Sequence, residues 1–154
     1  MGNEQFPIIL ETPKTKIRFN PEGLSPEDQS ALITVAEQVF SGARQRFRHA
    51  LERCTFFAET GFDALNELVA QDPRWQRVRI EGSDKNPFDQ HYWVAGDLNG
   101  ESVVLDPIFG YVGTDNAAGK VLNDDHLRYY RTKREVPAHT PAWEGGVRVK
   151  TTAI

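Results

Sequence analysis

The chain has 154 residues, a formal net charge of −4, 39% hydrophobic and 26% charged residues, and one cysteine. That length and balance describe a single soluble domain with one core and exclude disordered and membrane-embedded classes. The lone cysteine excludes an internal disulfide framework and any cysteine zinc cage built from this chain alone, and the negative charge argues against nucleic acid as a partner.

The opening residues, Met1 to Phe6, lack the basic start and apolar stretch of a signal peptide. The expectation is a cytoplasmic protein, or one secreted by a route independent of such a signal, with no membrane partner. Phe6 to Leu10 reads as a short strand, which Pro7 places at a sheet edge. Lys16 to Phe19 alternates polar and apolar residues, as a half-buried strand does.

Ser25-Pro26-Glu27-Asp28 starts a helix, with serine as the cap, proline in the first turn and acids beside it. Leu32, Ala36, Val39 or Phe40, Ala43, Phe47, Ala50 and Leu51 recur at three- and four-residue spacing and form its apolar stripe. Ser41-Gly42 marks a kink or a split. Thr60-Gly61 reads as a second cap, leading a helix to Gln71 with Phe62, Leu65, Leu68 and Val69 inward.

Trp75 to Ile80 is predicted as a strand and Glu81 to Asp89 as a polar loop. His91 to Asp97 and Ser102 to Asp106 flank Asn99-Gly100, the dipeptide of a type I′ hairpin turn. Beyond Gly110 the patterning thins. Asp115 to Gly119 reads as a loop, Asp124 to Arg131 as a short helix, and Val147 to Val149 as a last strand in an otherwise irregular tail.

The turn dictates register. With Asn99 and Gly100 as the loop, Ala95 opposes Val104 and Trp93 opposes Asp106. Opposed residues share a face and the side-chain period is two, so His91, Trp93, Ala95, Val104 and Asp106 lie on one face. His91 and Asp106 are then diagonal neighbours within hydrogen-bond reach. An Asp on one imidazole nitrogen fixes the tautomer and leaves the other for proton transfer with a nucleophile. Cys54 is the candidate nucleophile, in the predicted helical turn Cys54-Thr55-Phe56-Phe57-Ala58. Each residue also has a plain structural role: Cys54 as a small buried hydrophobe, His91 as a satisfied sheet residue, Asp106 as the start of a turn before Pro107.

At these residues the sequence resembles the transglutaminase-like and papain-like thiol enzymes. Their pattern is a Cys on a helix, then a His on one strand and an Asp or Asn on the next. Cys54-Thr55-Phe56-Phe57-Ala58 is similar to the turn after their nucleophile, and His91-Tyr92-Trp93 and Leu105-Asp106-Pro107 resemble their strands. The order and separations are also similar to those of arylamine N-acetyltransferases. The resemblance spans about Arg53 to Gly110. Leu51-Glu52-Arg53 stands where those enzymes commonly place glycine and a small residue, and Gln45 and Gln90 are the glutamines nearest an oxyanion-hole role.

The elements predict one α+β domain, an N-terminal helical layer from Ser25 to Gln71 on an antiparallel sheet centred on the 91–106 hairpin, with a core over about 25–112 and an irregular extension over 113–154, and the resemblance implies a papain-like or transglutaminase-like core. It implies a cysteine-dependent hydrolase or acyl transferase with catalytic Cys54, His91 and Asp106. A protease, an amidase and a glutamine deamidase, including a toxin or effector, all fit. The substrate would be a protein, peptide or other amide, with no cofactor and no metal. The alternative is a catalytically inactive copy of the fold serving as a protein-interaction domain. Basic residues at Arg44, Arg46, Arg48, His49 and Arg53, and at Arg128, Arg131, Lys133 and Arg134, read as solvated faces, with an anionic partner as the rival. His49, His126 and His139 show no ligand spacing.

Overall fold

The computed structural model describes residues 8–11, 16–47, 54–86 and 89–137, with side chains over 18–40, 58–83 and 90–137. In chain order the elements are β1 (Ile8–Glu11), β2 (Lys16–Asn20), α1 (Pro26–Phe47), α2 (Cys54–Val69), β3 (Trp75–Asn86), β4 (Asp89–Leu98), β5 (Glu101–Asp106), β6 (Tyr111–Thr114), a 3-10 turn (Asn116–Lys120), α3 (Asp124–Arg131) and β7 (Arg134–Val136). The strands form one seven-stranded sheet in the order β1-β2-β6-β5-β4-β3-β7. The fold is α+β, with the N-terminal helices packed on the sheet.

The sheet is mixed rather than wholly antiparallel. β2 pairs parallel with β6, placing Phe19 beside Val112, while the remaining pairs are antiparallel. A parallel neighbour needs a crossover connection. Here the crossover is everything from α1 to β5, which no local pattern announces.

Capping and turn chemistry act as the sequence predicts. Ser25 Oγ accepts the Asp28 amide at 3.1 Å, closing the first turn of α1. Asn99 and Gly100 have φ of 50° and 87°, as a type I′ turn requires. The β4–β5 register pairs Ala95 with Val104 and Leu98 with Glu101. Asn99 Nδ2 also donates to Asp28 Oδ1 at 2.8 Å, tying the hairpin tip to α1.

Several expectations are corrected. α2 includes Thr60-Gly61 in its interior instead of starting there. Gly61 serves close approach: a Cβ there would stand 2.9 Å from Val94 Cγ2. Leu68, expected inward, is 41% exposed. The backbone of α1 runs through Ser41-Gly42 without a break. β3 continues to Asn86, through the stretch expected as a polar loop, because Glu81 and Ser83 are buried against partners on other elements. The region after 113 holds the 3-10 turn and β7 as well as α3. The proposed strand at Val147 to Val149 lies outside the described residues, as does the rest of the tail.

Alternation along the strands separates two cores. Leu32, Ala36, Val39 and Phe40 of α1 and Leu65 and Val69 of α2 pack with Val94, Leu98, Val103, Leu105 and Val112. Ala58 of α2 joins Ile80, Tyr92 and Val136 on that side. On the other face Trp93, Ala95, Val104 and Tyr111 pack with Ala118 of the 3-10 turn, Leu122 of the link that follows it, and Leu127 and Tyr130 of α3. The sheet is therefore sandwiched between α1 and α2 on one side and the 3-10 turn and α3 on the other. Among the described residues no helix is long and apolar enough to cross a membrane.

Candidate functional site

β4 and β5 bring His91 and Asp106 together as their register predicts. His91 Nε2 lies 2.7 Å from Asp106 Oδ2. Both are buried, His91 at 3% exposure and Asp106 at 0%. Asp106 accepts four hydrogen bonds. Its Oδ1 takes the backbone amides of Ile108 at 3.1 Å and Phe109 at 3.0 Å, and its Oδ2 takes the Tyr130 hydroxyl at 2.7 Å beside His91. Two backbone amides and one hydroxyl donate to this carboxylate, so the fourth contact is also a donor. An ionised carboxylate can only accept, so opposite a charged Asp106 the Nε2 of His91 carries the proton and Nδ1 is the basic nitrogen of the neutral ring.

Such satisfaction is what allows a carboxylate to be fully buried, since an unpaired one would carry a large desolvation cost. The turn from Asp106 to Gly110 does more than join two strands. Its two amides hold Oδ1, and its Phe109 ring stacks on the His91 imidazole at a centroid distance of 3.8 Å. The opposite face of Phe109 carries His126 of α3 at 3.9 Å. Trp93 and Tyr129 lie 5.2 and 5.6 Å from the His91 ring.

A second polar cluster adjoins on the same face. Glu81 accepts from Arg79 Nε at 2.8 Å and from Trp93 Nε1 at 3.0 Å, and Lys133 Nζ stands 3.3 Å away. Arg79 also reaches Asp97 at 3.0 Å and Ser102 at 2.8 Å. Lys133 bridges to Asp115. Ser83 and Thr132 share a hydrogen bond of 2.7 Å between β3 and the end of α3. This network fixes Trp93, which packs beside His91 and against Tyr130.

Cys54 is the first described residue of α2, and its side chain lies outside the described residues. α2 runs in the same direction as β4: Ala58 clusters with Tyr92, Gly61 abuts Val94, and Val69 packs with Leu98. Four residues of helix rise about 6 Å, close to two strand residues, which carries α2 from the level of Tyr92 back toward the start of β4. The described side chains of α2 meet the even-numbered residues of β4, whereas His91 belongs to the odd-numbered face. The structure thus unites His91 with Asp106 and sets the helix of Cys54 against the other face of the same strand.

Of the glutamines considered for an oxyanion hole, Gln90 is exposed at the head of β4, and the side chain of Gln45 lies outside the described residues. The second basic segment is drawn into pairs. Arg128 lies 4.2 Å over the Tyr129 ring, Arg131 approaches Asp124 at 3.8 Å, and Lys133 holds Glu81 and Asp115. The side chains of the first basic segment are outside the described residues, as are those of His49 and His139. No group of three potential metal ligands occurs among the described residues. An open groove of about 650 Å³ lies along the outer face of α1, between Glu27, Thr34 and Arg74, and shares no lining residue with the pair.

Sequence reasoning missed Tyr130 and Phe109. Tyr130 sits in an unremarkable Tyr129-Tyr130 dipeptide, and only the docking of α3 on the sheet brings its hydroxyl to Asp106. Around Phe109 the legible signal was the Asp106-Pro107 turn itself, while the place of the ring against His91 came only with the fold. Compared with models of known protein families, with curated proteins and with solved structures, the chain gives no match in any of the three.

Proposed function

We propose that the chain is a cysteine-dependent hydrolase or acyl transferase acting on protein, peptide or other amides, with a transglutaminase-like or papain-like core. The observation that carries this is the buried 2.7 Å contact between His91 Nε2 and Asp106 Oδ2, at the positions the resemblance assigns to the base and its orienting acid.

In this mechanism His91 Nδ1 takes the thiol proton and the Cys54 thiolate attacks the carbonyl carbon, with the Cys54 backbone amide donating to the developing oxyanion. The C–N bond breaks as His91 returns the proton to the leaving amine, giving a thioester. Water, deprotonated by the same nitrogen, then releases the acid and makes the enzyme a protease, amidase or glutamine deamidase. An amine in place of water makes it an acyl transferase. Asp106 holds the Nε2 proton and stabilises the imidazolium.

Alkylation of Cys54 by iodoacetamide, followed across pH in the wild type and in His91→Ala, tests the assignment. The expected result is a thiol that reacts well below the ordinary cysteine pKa of about 8.5 and loses that property with His91. A thiol of ordinary pKa, indifferent to His91, overturns it. A non-catalytic interaction domain is the second reading. The observation favouring it is that the described side chains of α2 pack on the sheet face opposite His91, while Phe109 covers the imidazole. An unreactive Cys54 in a stably folded protein is the outcome that selects it.

A further inference from the structure

We propose that Tyr130 is a positioning residue of the His91–Asp106 pair, its hydroxyl sharing Asp106 Oδ2 with His91 Nε2 and thereby setting the proton affinity of the imidazole. The inference deepens the thiol-enzyme reading and rests on it for the catalytic consequence. The geometry itself is independent of the thiol. Tyr130 and His91 stand at 2.7 Å from the same oxygen, and the other oxygen is held by the Ile108 and Phe109 amides.

A carboxylate oxygen with two donors divides its negative charge between them. The Tyr130 hydroxyl therefore competes with Nε2–H and weakens the support Asp106 gives the imidazolium. It also blocks rotation of the carboxylate, because Oδ2 is held from β4 and α3 while Oδ1 is held by two amides of the following turn. Tyr130 is itself fixed, with its ring 4.5 Å from Trp93 and 6.4 Å from Tyr111. Burial and the Asp106 charge keep its proton in place far above the usual range for tyrosine, so it is a donor at every working pH. α3, which lies beyond the span of the family resemblance, thus supplies a member of the site.

The titratable groups around the imidazole can be named element by element among the described residues. β5 presents Asp106, and α3 presents Tyr130, Tyr129 and His126. Glu81 of β3 adjoins the pair through Trp93, and is matched by Arg79 and Lys133. Tyr111 of β6 and Asp115 bear on Tyr130. Tyr130 shares the acceptor atom Asp106 Oδ2 with His91.

Nitrogen-15 NMR of histidine-labelled protein tests this. In the wild type, neutral His91 is expected as the Nε2–H tautomer. Tyr130→Phe keeps the ring in its packing and removes only the hydroxyl. It should raise the His91 titration midpoint by about half a pH unit, the scale of one hydrogen bond. A variant that is merely less stable, with an unmoved His91 midpoint, overturns the proposal. Should Tyr130→Phe not fold, the wild type still decides. A slowly exchanging Tyr130 hydroxyl proton with a cross-peak to the His91 ring supports the assignment, and its absence overturns it. The same titration in a Cys54→Ala background separates the two readings. A Tyr130 effect that persists there stands even if His91→Ala leaves Cys54 alkylation unchanged.

Discussion

The two faces of the sheet are built on different physics. Under α1 and α2 the contacts are aliphatic and aromatic, from Leu32 and Phe40 through Leu65 to Val103 and Leu105. Under the 3-10 turn and α3 the apolar cluster is interrupted by Arg79, Glu81, His91 and Asp106, all buried and all hydrogen-bonded. Burying apolar area stabilises without specifying direction, whereas a buried ion or imidazole is tolerable only when its partners are placed to within a few tenths of an ångström. A protein that concentrates the second kind of interaction on one face has spent stability there on geometry. That is the face on which chemistry or recognition is expected.

Breaking each face in turn sharpens the contrast. Asp106→Ala should have the largest effect, about 4 kcal/mol in chemical denaturation, because it strands an imidazole, a hydroxyl and two backbone amides without an acceptor. Leu65→Ala on the apolar face should cost about 3 kcal/mol through lost burial and the remaining cavity, without disturbing the His91 resonances. If the leucine change perturbs His91 as strongly as the aspartate change does, the faces are coupled and the contrast fails.

A third effect comes from alkali. Burial, reinforced by nearby carboxylates, raises the pKa of Tyr111 and Tyr130 above the ordinary tyrosine value. A raised folded-state value means stability that is complete below the unfolded pKa of about 10 and is lost as pH rises through the interval above it. The loss should be about 1.4 kcal/mol per pH unit for each of the two tyrosines. Ultraviolet titration should show them ionising only as the fold gives way. Normal titration of both near pH 10 in the folded protein would contradict the burial of this face.

What was legible in the sequence was local. Ser25 before Pro26, and Asn99-Gly100 between two β-rich runs, fix their own neighbourhoods, and the hairpin carries the His91–Asp106 pair with it because register follows from the turn. What was not legible depends on distant partners. Glu81 to Asn86 looks like a loop until Arg79, Trp93 and Lys133 are known to surround Glu81. Thr60-Gly61 looks like a cap until Val94 is known to need the space of a missing side chain. The choice of sheet face for α2, and hence its relation to His91, is set by how both helices bury their stripes. The arrival of Tyr130 at Asp106 is set by α3 docking, and neither event leaves a periodic trace.

The parallel pairing of β2 with β6 has a consequence for the order of assembly. The β4–β5 hairpin can close within microseconds, since its ends are neighbours in the chain. β2 precedes nearly all of its eventual contacts, and must wait for Tyr111 to Thr114 before it gains a partner other than β1. The Arg18 amide then donates to the Gly110 carbonyl at 2.8 Å, at the end of the turn that holds Asp106 and carries Phe109. Closing so long a loop is slow relative to local pairing. The histidine and aspartate can therefore meet early, while the turn that covers them is pinned among the last events of folding.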